Sequence, residues 1–323
     1  MNNNISTGDF TATAVPGNKD GMSKLSDAGT GGTEPNEYNN SSICYAAKYG
    51  LTETLKLLLE HGADPNTVYD TGDTPLHLAA SRGHADAMRL LMEAGAAADA
   101  KNDDGRTPLF GAVENNHVHC IGVLLAAGAD VNCSDKWGFL PVFSAARKGY
   151  EECLELLLKA GSKFNIISKA GGKWAPLHWA AYYKQTGCVR LLLQYGADVN
   201  ISSKGLTTPL HLAVSENSLK CIELLLDSGA NPNITDELKW TALHEAAMTG
   251  KSGVMKKLIE SGADLYLANN KGNTPLDELR YFHPDKYTSL APALIKKAAA
   301  EKQKRLKKED KAKAADTGYE FDI

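Results

Sequence analysis

From residue 42 to residue 283, two kinds of short apolar segment alternate along the chain. The first mixes leucine, alanine and polar residues, as in PLHLAASRG at 75–83. At about 100° per residue, Leu76, Ala79 and Ala80 share one helix face. The two alanines leave room for a neighbouring helix to approach. The second kind is leucine-rich: Leu57-Leu58-Leu59, Leu156-Leu157-Leu158, Leu191-Leu192-Leu193 and Leu224-Leu225-Leu226. Gly83 and its counterparts separate the two kinds. Gly62, Gly95, Gly128, Gly161, Gly196, Gly229 and Gly262 close the second, where a left-handed residue suits a helix end. The pattern predicts pairs of short amphipathic helices. Neither helix of a pair buries its stripe alone, so the pairs must stack.

The pairs recur at a fixed period. The residue that opens the first helix is Pro75, Pro108, Pro141, Pro176, Pro209, Ala242 and Pro275, at steps of 33, 33, 35, 33, 33 and 33 residues. One step back from Pro75 lies Ser42, in SSICYAAKYG, and the repeats are numbered one to eight from there. Thr107 suits a helix N-cap and Pro108 the first helical position, which needs no backbone donor. Self-similarity at this period marks a solenoid. Four units open with Thr74-Pro75-Leu76-His77, Ala175-Pro176-Leu177-His178, Thr208-Pro209-Leu210-His211 and Thr241-Ala242-Leu243-His244. Others close with a G-A-D-x-N element, Gly62 to Asn66, Gly128 to Asn132 and Gly196 to Asn200.

These units resemble the ankyrin repeat, whose length is about 33 residues with a T-P-L-H signature. The resemblance implies an all-α ankyrin-repeat solenoid of stacked helix-turn-helix units joined by hairpin loops. It has seven full repeats and a degenerate eighth, within residues 38–285. Residues 1–37 are rich in Asn, Gly, Ser and Thr and are expected to be disordered. Residues 286–323 are expected to hold a capping helix that uses Leu290, Leu294 and Ile295, then a basic helical extension and an acidic, aromatic tail, DTGYEFDI.

Histidines and cysteines suggest chemistry until they are phased. His77, His178, His211 and His244 are the signature residue, and His84 and His117 sit at the site between helices, while His61, His119 and His283 fall off register. In ankyrin-like repeats the in-register histidines bond locally and fix the turn. Cys120, Cys153, Cys188 and Cys221 occupy one equivalent position on successive second helices. Such helices run about 8–10 Å apart, beyond disulfide reach. They read as buried thiols in a reducing compartment. Cys44, at a signature-histidine position, and Cys133, in a loop, are expected to be the more exposed pair. No phosphate loop, catalytic triad or zinc-helix motif is visible. The chain is therefore expected to be non-enzymatic, with no cofactor and no metal.

Composition narrows the setting. The 323 residues are 43% hydrophobic and 23% charged, with a net charge of −4. No apolar run is long enough to cross a membrane, and the N-terminus lacks the order of a secretory signal. A cytoplasmic monomer is expected, with the nucleus accessible through the basic stretch Lys304–Lys308.

A repeat protein varies where the repeat is not constrained. On the first helix the exposed positions are 78, 81 and 82 in repeat two; then Gly111, Glu114, Asn115; Ser144, Arg147, Lys148; Trp179, Tyr182, Tyr183; Leu212, Ser215, Glu216; and Glu245, Met248, Thr249. Two residues before the Pro position the hairpin series runs Asp73, Arg106, Phe139, Trp174, Thr207, Trp240, Asn273. In ankyrin-like folds these sets line one concave surface. All four tryptophans then map to one face, with Trp137 two residues further up its hairpin. Trp and Tyr dominate binding hot spots. The expected partner-binding set is Trp137, Phe139, Arg147, Lys148, Trp174, Trp179, Tyr182, Tyr183, Trp240 and Met248, centred on repeats four to seven. Nearby charges lean positive, at Lys136, Arg147, Lys148, Lys169, Lys173, Lys184, Lys204 and Lys239. An acidic, hydrophobic segment of a protein partner complements such a groove, and the chain reads as a scaffold or adaptor.

Two alternatives stand beside this reading. The chain is a regulatory or effector module gated by its own tail, which also resembles a PDZ ligand. Or it is nucleic-acid-associated through the basic helix, the weaker case, since no aromatic interleaves with those lysines. Ankyrin repeats are also similar to substrates of an asparaginyl hydroxylase that reads a leucine eight residues before the asparagine. That resemblance implies Asn66, Asn132, Asn200 and Asn233 as modification sites, eight residues after Leu58, Leu124, Leu192 and Leu225.

Overall fold

A computed structural model describes residues 35–169 and 173–316. The expected all-α solenoid forms. The first helices of the eight pairs are α1 (Pro35–Tyr49), α3 (Pro75–Arg82), α5 (Pro108–Glu114), α7 (Pro141–Lys148), α9 (Pro176–Tyr182), α11 (Pro209–Ser215), α13 (Ala242–Met248) and α15 (Pro275–Phe282). The second helices are α2 (Thr52–Glu60), α4 (Ala85–Glu93), α6 (Val118–Ala126), α8 (Glu151–Lys159), α10 (Thr186–Gln194), α12 (Leu219–Asp227), α14 (Ser252–Glu260) and α16 (Pro284–Asp316). Each helix packs on its pair mate and on the equivalent helix of the next pair. No strand occurs among the described residues beyond an isolated bridge between Thr235 and Thr241.

The signature histidine joins two levels of structure. Its Nδ1 accepts the N-cap backbone N–H of Thr74, Ala175, Thr208 and Thr241, at 3.1, 3.1, 3.2 and 3.1 Å. That fixes the neutral tautomer, and Nε2–H then donates to a carbonyl in the next hairpin. The acceptors are Arg106, Thr207, Trp240 and Asn273, at 2.9, 2.9, 3.2 and 3.1 Å. Burial lowers the basicity of all four rings, His178 to about 4.

In repeats two, three and eight a second histidine ties the pair to the preceding one. His84 and His117 donate through Nε2 to the carbonyls of Lys48 and Ser81, both at 3.1 Å. Gly50 and Gly83 admit these rings, since a Cβ there would lie 2.6 and 2.7 Å from the imidazole. His283, expected off register, does the same work, donating to Met248 O at 3.0 Å. The eighth repeat is one residue shorter before its second helix, so linear spacing concealed the equivalence.

The core runs unbroken from Ile43 to Leu294. All six cysteines are free, and Cys120, Cys153, Cys188 and Cys221 are buried. Burial pushes the Cys188 thiol up to about 12 and those of Cys120 and Cys153 to about 11. Cys44 is buried too, which overturns its expected exposure. Its position faces the next repeat and is covered whatever residue fills it, as at His77 and His178. Cys133 is half-buried.

Asparagines ladder the ends of the second helices. Asn66 donates to Gly95 O at 3.0 Å and accepts Ala97 N–H at 2.8 Å. Asn132 and Asn233 make the same two bonds one repeat on. Asn200 accepts the N–H of Asn231.

The C-terminal end differs from the expected boundaries. The capping helix is itself the second helix of repeat eight, beginning at Pro284. Ala291 and Leu294 are buried and Leu290 packs on the core, but Ile295 is exposed. At the other end α1 begins at Pro35, inside the stretch expected to be disordered. The rest of that stretch, and the tail from residue 317, lie outside the described residues.

Candidate partner-binding surface

Each hairpin closes with one bond, from the N–H six residues before the Pro position to the carbonyl two before it. It is seen at Asn102→Arg106, Asp135→Phe139, Ser203→Thr207 and Asp236→Trp240. In repeat five the equivalent bond is Ser168→Trp174, 3.1 Å, across six residues instead of four. The two-residue insertion therefore lies inside the tip, and Trp174 keeps its place in the series.

First helices and hairpins together assemble an aromatic cluster. Trp174 stacks on the His178 ring with centroids 6.4 Å apart, and meets Trp179 at 4.8 Å and Tyr182 at 5.2 Å. Trp179 stacks on Tyr183 at 6.0 Å and meets Phe139 at 6.5 Å. Phe139 in turn packs edge-on against Phe143 at 5.6 Å. Tyr183 remains 46% exposed at the cluster's edge.

Beside this cluster lies a cavity of about 340 Å³, lined by Arg106, Phe110, Glu114, Asp135, Trp137, Phe139, Phe143, Ser144, Arg147 and Trp179. Four expected residues, Trp137, Phe139, Arg147 and Trp179, meet here. The Arg106 guanidinium lies over the rings of Phe110 at 4.7 Å and Trp137 at 5.6 Å. Asp135 is buried; its Oδ1 accepts the N–H groups of Trp137 and Phe139, at 3.0 and 2.9 Å. Its Oδ2 lies 3.7 Å from Arg106 Nε, an ion pair too long for a hydrogen bond. Both atoms, and the Trp179 indole Nε1–H, are buried without a hydrogen-bond partner.

Not every expected residue joins. Trp240 packs on His244 at 5.7 Å, apart from the cluster. Met248 is half-buried in α13 and also stands outside it. Lys148 is held by Glu114, 2.9 Å from its carboxylate. The aromatic cluster and the cavity thus fall within repeats three to five.

The positive lean also redistributes. Arg147 lies 3.7 Å from Glu114, Lys184 lies 3.4 Å from Glu216, and Lys136 pairs with Asp104. The Glu114 carboxyl, although partly buried, is held below the usual range by bonds from Ser144 and Lys148. Arg147, Lys148, Lys184 and Lys136 are therefore matched within the fold. Lys169, Lys173, Lys204 and Lys239 have no ion pair among the described residues, and all four are on hairpin tips. In the basic helix, Lys304 pairs with Glu301 at 2.7 Å.

Phe110, Phe143 and Asp135 were missing from the expected set, and Arg106, Glu114 and Ser144 were read only as variable positions. One signal was available: repeats three and four replace the signature histidine with Phe110 and Phe143. Thr107 Oγ1 consequently has no partner.

A family model described as ankyrin repeats (3 copies) matches residues 43–135, 95–168, 142–236 and 210–279. Among solved structures, the chain is similar to the ankyrin repeat domain of human ASB11, with 31% identity and TM-score 0.60, over 69% of this chain and 98% of that one. It is also similar to the ankyrin repeat domain of Bcl-3, a member of the IkappaB protein family, with 32% identity and TM-score 0.59, over 65% and 95%. No curated protein sequence matches. The chain belongs to the ankyrin-repeat family, whose repeats are protein–protein interaction modules. No helix among the described residues is long and apolar enough to cross a membrane.

Proposed function

We propose that this ankyrin-repeat chain is a non-enzymatic scaffold or adaptor that holds an acidic, hydrophobic segment of a protein partner on its concave face. The anchor is the aromatic cluster of repeats four and five with the cavity beside it. One observation carries the reading: a cavity of about 340 Å³ bounded by five aromatic rings, those of Phe110, Trp137, Phe139, Phe143 and Trp179. The stack around it is continuous, so little ordering entropy opposes binding there. The buried Nε1–H of Trp179 and Nε–H of Arg106 lack acceptors. Free thiols throughout fit a reducing cytoplasm.

The test is comparative affinity capture from cytosol, with mass spectrometry, using the wild type and a Trp174→Ala, Tyr182→Ala, Tyr183→Ala variant. Circular dichroism checks that the variant folds. A protein held by the wild type and lost by the folded variant is the expected result. Equal capture by both overturns the reading.

A further inference from the structure

The cavity between repeats three and four owes its space to one small residue. The first exposed position of the first helix holds Leu78, Trp179 and Leu212 in repeats two, five and six, but Ser144 in repeat four. That position faces the preceding repeat, since Ser144 Oγ donates to the Glu114 carboxylate. The volume left, about 340 Å³, is about twice the 150 Å³ that holds one benzene ring. An incoming aromatic side chain therefore fits with a second group beside it.

Asp135 carries a charge that its hairpin does not need. Its Oδ1 accepts the N–H groups of Trp137 and Phe139. In repeats three and eight a neutral residue makes the same two bonds: Asn102 accepts from Asp104 and Arg106, and Asn269 from Lys271 and Asn273. Asp236 of repeat seven keeps the acid but is only half-buried, whereas the Asp135 side chain is 1% exposed. A carboxylate costs more to bury than an amide. What the charge adds is a seat for Arg106, with Nε 3.7 Å from Oδ2 and the guanidinium over the rings of Phe110 and Trp137. Arg147 lines the same cavity, 3.7 Å from Glu114, whose carboxylate Ser144 and Lys148 already bond. The two arginine side chains are 37% and 42% exposed. Neither donates a hydrogen bond among the described residues.

We propose that this cavity takes one aromatic side chain of the partner, while Arg106 and Arg147 take the carboxylate of an aspartate or glutamate on the same face of the partner segment. Such a pair stands two residues apart in an extended segment, or three or four apart on a helix. Phe110, Phe139, Phe143 and Trp179 offer the ring edge-on and offset contacts. The guanidinium fork matches a carboxylate. The inference rests on the concave-face reading and names the residue pair that is read.

The test selects a displayed random-peptide library on the full chain and measures the selected peptides by calorimetry. Replacing the peptide's aromatic residue by alanine, or its acid by the amide, is expected to weaken binding about tenfold or more. On an Arg106→Gln, Asp135→Asn, Arg147→Gln variant the acid-to-amide loss is expected to shrink below about threefold, while the loss on removing the aromatic residue persists. Asparagine at 135 keeps the hairpin bonds, and circular dichroism checks the fold. Arg147→Gln alone, at an exposed site, is expected to give part of the same shrinkage. A Lys204→Gln, Lys239→Gln variant, which removes cations outside the cavity, is expected to keep the full loss. The inference is overturned if no peptide is selected, if the selected peptides lack the pair, if the acid matters equally in every variant, or if the lysine variant removes its effect. Where such peptides still fail to bind the Trp174, Tyr182, Tyr183 alanine variant, the concave-face reading stands without the inference. Coupling to the arginines with no loss on the alanine variant supports the inference and narrows the anchor to the cavity.

Discussion

His178 shows how much a single position does here. It caps its own helix and reaches the next hairpin, and the capping bond, accepted at Nδ1, requires a neutral ring. Its folded value is about 4 against an ordinary 6.5, with His77, His211 and His244 moved the same way by burial. The unfolded chain therefore takes up protons first as pH falls. The stability these rings contribute is complete above 6.5 and is lost progressively toward 4. Thermal melts from about pH 7 down to about pH 4.5 are expected to show a steep fall in midpoint, shallower in a His178→Asn variant. Repeats three and four lack this device. A Phe110→His variant gives Thr107 Oγ1 a partner and is expected to stabilise the chain by about 1 kcal/mol while weakening partner capture, measurable by denaturant titration and pull-down. Phe110 and Phe143 are hidden in the sequence because they stand at the signature position, which in repeats two, five, six and seven holds a structural histidine. Asp135 was hidden because only the folded chain brings its Oδ2 to 3.7 Å from Arg106 Nε.

The helix pair is the most legible element. Its apolar period, its opening proline and its closing glycine are all local signals, and all reappear as helices with those ends. What connects elements across repeats was less legible, because partners lie 29 to 38 residues apart. The asparagine ladder is one such connection. Asn233→Ala removes its bonds to Gly262 O and from Asp264 N–H. It is expected to cost about 1 kcal/mol and to speed hydrogen exchange at the ends of α12 and α14 before other helices. Uniform exchange along the stack contradicts that local role. The equivalence of His283 with His84 was missed for the same reason. The shared feature is a carbonyl in the preceding repeat, not a linear distance.

In the whole molecule, each pair contacts only its neighbours, so stability is close to a sum of repeat and interface contributions. The last interface is closed by α16, through buried Ala291 and Leu294. Deleting residues 284–316 uncovers α14 and α15. It is expected to lower the melting midpoint, with α13 to α15 exchanging fastest, and exchange mapped by mass spectrometry checks it. The number of repeats, their phase and the face that collects the tryptophans were readable from the period. Which cations are already matched by Glu114, Glu216 and Asp104 was not, since those partners lie in other repeats or other turns of the folded chain. The most direct test of the concave face as the binding surface is hydrogen exchange on the full chain with and without the captured partner. Protection confined to 106–114, 135–148 and 173–183 is the predicted result. Protection confined to the second helices or α16 contradicts it.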